Sequence, residues 1–195
     1  MISDSQLNDL YSAIVLHYNT SMDSLETIEG GGELRAARGD STEHIIDIVC
    51  TYLRDHGLNV ESRVGKKDLQ TITLRGVSKE HQVDRHIYYE GRLVLVIEVK
   101  AYLDSCYYER ACNDFRVMRL GHPTVGTVVL ALENAVADDA VVFTNAVFDD
   151  VCGAICYLCK GKRTSSRPMY RKEFRKPIQR EAVKALVELV YSFAH

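Results

Sequence analysis

The sequence has little of what marks disordered, membrane-spanning or secreted proteins. Its 195 residues include only 3 prolines and no low-complexity segment. Charged residues interrupt every apolar stretch well before the roughly 18 residues that a membrane-spanning helix needs, and residues 1–6 lack the basic start of a secretory signal. The 46% of hydrophobic residues provide enough apolar surface for one compact core. We therefore expect a single domain over residues 1–195, in a soluble cytoplasmic protein that binds no membrane.

The six cysteines match neither a disulfide framework nor a zinc site. Cys156 and Cys159 form one CxxC pair, whereas a structural zinc site takes about four ligands, usually as two such pairs. Cysteine in apolar surroundings is commonly a small buried hydrophobe, and reduced thiols are typical of cytoplasmic proteins. We therefore interpret this pair as core residues.

Charge is unevenly distributed along the chain, whose formal net charge is −3. Residues 160–176 hold eight basic residues and one acid, so this basic segment carries +7 and the remainder of the chain carries −10. Such a run is often only a solvated surface, but it can also attract phosphates locally in a mildly acidic protein. Its candidate DNA contacts are Lys160, Lys162, Arg163, Arg167, Arg171 and Lys172.

Hydrophobic periodicity predicts two helices in the first part of the chain. Residues 4–18 have apolar side chains at helical spacing. The Gly-rich stretch from Glu29 to Asp40 predicts a loop. Asp40, with Glu43 three residues later, has the form of a capping box and predicts that the second helix begins there.

The later sequence predicts a mixed sheet. Arg92 to Lys100 is apolar on both sides, as is typical of a central strand covered on both faces. A helix over Asp104–Leu120 and an apolar run over Thr124–Leu132 predict a crossover that places two strands parallel. Period-two alternation predicts further strands at 58–64, 70–76 and 83–89. The class is therefore α/β (α+β), with a central mixed β-sheet flanked by helices.

Three charged residues lie near the ends of two adjacent predicted strands. Glu98 and Lys100 are two residues apart, so their side chains project from the same face. A two-residue loop between the strands would place Asp84 on the opposite face, whereas a three-residue loop, 90–92, places it opposite Glu98. We predict that register or an equivalent bulge, with the glycine of the loop in the left-handed conformation. His86 shares the face of Asp84 and either supports this site or is a structural histidine.

These residues point to metal chemistry. Two carboxylates on one face repel each other unless a cation neutralises them, which favours an oxygen-preferring ion such as Mg²⁺. We expect Asp84, Glu98 and the backbone carbonyl of Val99 to bind that ion. The ion lowers the pKa of a bound water and stabilises charge on a phosphoryl oxygen, while Lys100 orients the attacking water. The alternative is a structural ion pair, since such networks also hold charged groups without catalysis.

Asp84, followed by Glu98-Val99-Lys100 at the end of an apolar strand, resembles the PD-(D/E)xK motif of a nuclease superfamily. The resemblance covers roughly residues 40–132, and Val83 stands where the motif commonly has proline. It implies a restriction-endonuclease-like fold and hydrolysis of DNA phosphodiester bonds with Mg²⁺, for which Mn²⁺ substitutes. Some members also use a glutamate from the helix before the strands. Glu43 is that candidate, and its capping-box role is the alternative.

The resemblance implies a single nuclease domain similar to type II restriction enzymes. A palindromic site in double-stranded DNA would call for a two-fold homodimer. Arg35 and Arg38, in the Gly-rich stretch, and the basic segment are the candidate DNA contacts, because arginine binds phosphates and guanine edges. Two alternatives stay open: a structure-specific repair or recombination nuclease of the same superfamily, and a non-catalytic DNA-binding domain in which the three charged residues form only a salt-bridge cluster.

Overall fold

A computed structural model describes residues 2–28, 31–163 and 170–194. In chain order these residues form α1 (Asp4–Leu25), α2 (Gly31–Asp55), β1 (Val60–Val64), β2 (Gln70–Leu74), β3 (Val77–His81), β4 (Arg85–Tyr89), β5 (Arg92–Leu103), α3 (Ser105–Gly121), β6 (Gly126–Asn134), α4 (Asp138–Val147), β7 (Ala154–Tyr157) and α5 (Arg180–Phe193). None of the helices in this part of the chain is long and apolar enough to cross a membrane.

The main sheet is mixed and has β5 at its centre. Its strand order is β1-β4-β5-β6-β7, with β4 antiparallel to β1 and β5, and β6 parallel to β5 and β7. The sheet and its flanking helices confirm the predicted α/β (α+β) class. The crossover through α3 and the parallel pairing of β5 with β6 are confirmed as well.

Both faces of the sheet are covered by helices. Leu95, Ile97 and Val99 of β5 belong to a core cluster with α1, α2 and α5, whereas Val96 belongs to a second cluster with α3. This alternation explains why β5 is apolar on both sides. Burying one such side chain stabilises the fold by about 1.5–3 kcal/mol. A charged residue in this strand gives up that stabilisation.

Helix α2 begins well before the predicted position. The predicted loop from Glu29 to Asp40 is wrong from Gly31 onward, because that stretch is the first part of α2. Glycine in a helix costs about 1 kcal/mol relative to alanine, but Leu34 and Ala37 pack against the core cluster and offset that cost. The predicted capping box at Asp40 is therefore wrong, since this residue lies inside the helix.

The turn between β4 and β5 has two residues instead of the three predicted. Both residues of the loop 90–91 have positive φ, as in a type I′ turn. A bulge then adds one residue on the β5 side of the ladder, which is the equivalent solution that the sequence allowed. Because Arg85 pairs with Ile97 beyond this bulge, the neighbouring residues Asp84 and Glu98 meet on one face.

The strands before β4 do not all join the main sheet. β2 and β3 pair only with each other and form a separate antiparallel hairpin. The sequence pattern identified β2 but missed β3, which lacks alternation because its residues are nearly all exposed. Residues 139–151, whose periodicity fits no single element, form most of α4 and its following turn.

Candidate active site

The candidate site lies beside the middle of β5, next to Asp84, which is the residue before β4. The ammonium of Lys100 contacts both acids, with Nζ 3.1 Å from Asp84 Oδ2 and 2.5 Å from Glu98 Oε1. The same Nζ donates to the carbonyl of Val99 at 3.1 Å, and the Val99 amide donates to Asp84 Oδ2 at 2.8 Å. The structure thus brings together the predicted Asp84, Glu98, Val99 and Lys100. The first three are the predicted metal ligands.

The three side chains are unequally exposed. The side chain of Glu98 is 8% exposed and that of Lys100 18%, whereas that of Asp84 is 30% exposed. Burial, and then the negative charge of Asp84, raise the pKa of Glu98. Burial opposes the charge of Lys100, but the neighbouring carboxylates of Glu98 and Asp84 outweigh it and raise its pKa. When all three are ionised, the cluster keeps one negative charge and attracts a further cation.

The cluster opens into a cleft between α2 and α3. Two adjoining cavities of about 490 Å³ and about 310 Å³ share Glu43, Asp84, Glu98 and Arg110 in their walls. The smaller cavity also contacts Lys100. An open cleft over a negatively charged floor gives access to water, a cation and a phosphate.

Glu43 lies on the α2 wall of this cleft. Its carboxylate is 3.4 Å from the buried guanidinium of Arg85, whose other nitrogen is 3.1 Å from Asp47. Burial and the charge of Asp84 outweigh the effect of Arg85 and raise the pKa of Glu43 to about 7. The alternative role in a capping box is wrong, because Glu43 is in the middle of α2. Glu43 is therefore near the predicted site, but it forms an ion pair with Arg85 and not with Lys100.

His86 belongs to a separate polar network and not to the cleft. It is fully buried; its Nε2 accepts from the Val83 amide at 3.3 Å, and its Nδ1 donates to Asp68 at 3.0 Å. These two bonds define a neutral tautomer, and burial lowers the pKa of His86 in agreement. Of the two alternatives that the sequence left open, the structure favours the structural histidine.

The predicted DNA contacts divide into two groups. Arg38 lines the smaller cavity, and the guanidinium of Arg163 covers the ring of Tyr102 in the same wall, 3.5 Å from the ring centroid. Lys172 instead contacts the body of the protein, because its amide donates to Glu26 and its ammonium lies 3.8 Å from Asp23. Lys160, Lys162 and Arg171 are exposed. The side chain of Arg35 and the whole of Arg167 lie outside the described residues.

Sequence reasoning missed Arg110 and Tyr102, which line the cleft. Arg110 is exposed on α3 and faces both cavities, yet no motif or charge run marks it in the sequence. Tyr102 follows Lys100 by two residues on the same strand, and that spacing was a signal for a shared face. The cysteine interpretation agrees with the structure, since Cys156 and Cys159 are buried in the core.

The donor set fits Mg²⁺ in chemistry. No three acidic, histidine or cysteine side chains among the described residues converge closely enough to hold a metal by themselves. Mg²⁺ usually takes only one or two carboxylates and completes its coordination with water and phosphate. The carboxylates of Asp84 and Glu98 and the carbonyl of Val99 are such a partial set of oxygen ligands, beside an open cleft.

Comparison with known proteins gives similarities both in sequence and in structure. No protein-family model matches the chain. The chain is 25% identical over 117 residues to the type II restriction enzyme DdeI of Desulfomicrobium norvegicum (strain DSM 1741 / NCIMB 8310). That match covers 54% of this chain and 49% of the enzyme, so the chain spans about half the length of this relative. A solved structure of the native BbvCI A2B2 tetramer matches with a TM-score of 0.46 and 10% identity, over 98% of this chain and 89% of that one.

Proposed function

We propose that this chain is a metal-dependent endodeoxyribonuclease of the PD-(D/E)xK type, with residues 1–195 as one nuclease domain. One observation carries the proposal: Asp84, Glu98 and Lys100 converge at the floor of an open cleft. The sequence similarity to a type II restriction enzyme supports the finer proposal of a sequence-specific restriction enzyme.

The residues of the cleft divide the chemistry among them. Asp84, Glu98 and the carbonyl of Val99 would hold Mg²⁺ or Mn²⁺. When bound, the ion supplies a water of lowered pKa and stabilises charge on a phosphoryl oxygen. Lys100 donates hydrogen bonds, so it orients the attacking water and offsets negative charge near the scissile phosphate. Glu43 would add a further carboxylate from the α2 wall as pH rises above its pKa of about 7.

The positively charged residues of the cleft walls would hold the DNA backbone. Arg38 on α2 and Arg110 on α3 flank the acids from opposite sides, and Arg163 extends this positive rim over Tyr102. Arginine binds phosphate through paired hydrogen bonds, so these residues fix the position of the duplex over the acids. A homodimer would cut a palindromic site. Sedimentation of the protein with and without duplex DNA tests whether that dimer forms.

The test is digestion of supercoiled plasmid with Mg²⁺ or with a chelator, followed by sequencing of the ends. Discrete metal-dependent fragments with 5′-phosphates support a sequence-specific endonuclease. Nicking that depends on DNA structure instead of sequence would show that the chain is a structure-specific nuclease with the same site. Absence of any metal-dependent cleavage contradicts the proposal.

A second candidate is a non-catalytic DNA-binding domain. It is favoured by the observation that the ammonium of Lys100 already bonds to Asp84, Glu98 and Val99, as in a structural ion cluster. In that case Lys100→Met would lower the free energy of unfolding while duplex binding stays unchanged. In the nuclease, Lys100→Met abolishes metal-dependent cleavage by a protein that still folds and binds DNA.

A further inference from the structure

The hairpin of β2 and β3 is a rigid projection from the body of the protein. Ile72 is buried against the end of α3, where a Cβ added at Gly121 would lie only 2.3 Å from the Ile72 side chain. At the base of the hairpin, His81 donates from Nε2 to the carbonyl of Asp114 on α3 at 3.2 Å. Two attachments to one helix fix the direction of the hairpin.

The base of this hairpin borders the candidate active site. Leu69, Glu80 and His81 line the larger cavity, whose wall also contains Asp84 and Glu98. The other end projects into solvent, where Val77 is 71% exposed. Glu80 pairs with Thr71, four residues before the turn at Arg75. Since a strand rises about 3.4 Å per residue, the turn lies on the order of 14 Å from Glu80. That distance corresponds to roughly four base pairs of duplex.

The exposed residues of the hairpin suit a DNA groove. They include the cations Arg75 and Lys79 and a single acid, Glu80, close to the cavity. Thr71 and Thr73 present methyl groups on the solvent side, where the Thr73 hydroxyl bonds to that of Ser78 at 2.8 Å. A two-stranded ribbon fits the major groove of B-DNA, where arginine reads guanine and threonine methyl groups contact thymine.

We propose that the β2–β3 hairpin enters the major groove and reads bases about four pairs from the scissile phosphate. The proposal rests on the nuclease function and assigns sequence specificity to residues 70–81, outside both the Gly-rich stretch and the basic segment. Cleavage chemistry stays with the cleft, and the hairpin selects where the cleft is placed.

The test changes the turn without breaking it. Arg75 and Gly76 both have positive φ (51° and 82°), and asparagine adopts that conformation more readily than most residues, so Arg75→Asn keeps the turn. The β4–β5 hairpin has the same kind of turn at the start of β5, away from Glu98 in the middle of that strand. Arg92→Asn beside that turn is therefore the matched control, and thermal melting verifies that both variants fold.

Sequencing of the ends cut from DNA of high complexity gives the base preference of each protein. We expect Arg75→Asn to lower discrimination at one or two base positions by at least about fivefold, while cleavage persists and Arg92→Asn keeps the parent pattern. If the parent cuts at a motif, and Arg75→Asn and Lys79→Gln leave that motif unchanged, the role of the hairpin is overturned but the nuclease function stands. The same conclusion holds if the parent cuts DNA without any sequence motif. If the parent never cuts DNA, the proposed nuclease function itself is overturned.

Discussion

Two polar clusters lie close together around β4, and they differ in what surrounds them. Asp68, His86 and Tyr88 form a cluster outside the cleft, in which Tyr88 donates to Asp68 at 2.7 Å and His86 is fully buried. Burial opposes the charge of Asp68, but hydrogen bonds from Tyr88 and His86 outweigh it and hold its pKa below its ordinary value. The Asp68 carboxylate is therefore stabilised by hydrogen bonds from the protein itself.

The cluster in the cleft has the opposite balance. Burial and a second carboxylate raise the pKa of Glu98, and Lys100 offsets only one of the two negative charges of the cluster. Each cluster contains a carboxylate and a nitrogen donor, and Asp84 and His86 are only two residues apart. Charged groups in strands are therefore not in themselves signs of function. A net negative charge beside an open cavity is the feature that distinguishes the site.

Replacement of the aspartate by alanine in each cluster should reveal the largest difference between the two clusters. We expect Asp84→Ala to lower the rate of metal-dependent DNA cleavage at least about 10³-fold, because it removes a proposed ligand of the ion. Its free energy of unfolding should change by no more than about 1 kcal/mol. Water from the cleft replaces the lost acceptor of the Val99 amide, and the loss of an ion pair is offset by less repulsion at Glu98. Plasmid cleavage and urea denaturation measure the two effects. A folded variant with a tenth of the parent rate would contradict the assignment.

Asp68→Ala should have the reverse effect. It leaves the buried Nδ1–H of His86 without its acceptor, and an unsatisfied buried donor costs about 1–3 kcal/mol. We expect urea denaturation to show that loss, while cleavage at low temperature stays within about twofold of the parent rate per folded molecule. Unchanged stability together with lost cleavage would place Asp68 in the active site instead.

Arg110 allows the role of the cleft wall to be separated from that of helix α3. We expect Arg110→Ala to raise KM for DNA about tenfold and to reduce the slope of log affinity against log salt by about one, because one phosphate contact is lost. Arg116→Ala is the matched control, since Arg116 is exposed on the same helix but lines neither cavity. Equal effects of both substitutions would mean that α3 attracts DNA only through its general charge.

Glu43 gives the smallest expected effect, and it concerns pH. Its folded pKa of about 7 lies above the ordinary value, so the folded state favours the protonated acid. The contribution to stability is complete below about pH 4 and is lost as pH rises through 7. In chelator, Glu43→Gln should therefore recover about 1 kcal/mol of the stability that the parent loses between pH 5 and pH 8. Parallel stability curves for the two proteins would contradict the raised pKa.

The predictable part of the site consists of residues that are close together in the sequence. Glu98 and Lys100 share a face because strand geometry alternates with period two, and this holds before any tertiary contact forms. The approach of Asp84 depended on a choice between two turn lengths. The protein uses the shorter turn and corrects the register with a bulge, a difference that the sequence left open.

The sequence by itself determined the central apolar strand, the crossover through α3 and the pairing of Glu98 with Lys100, because each follows from local periodicity. Only the tertiary structure decided three features. Helix α2 begins at the glycines after residue 30, Glu43 forms an ion pair with Arg85, and Arg110 faces the acids. The physical reason is how far apart in the chain the interacting residues lie. Hydrophobic period is a property of neighbouring residues, whereas packing against the core and charge across a cleft depend on residues far apart in the chain.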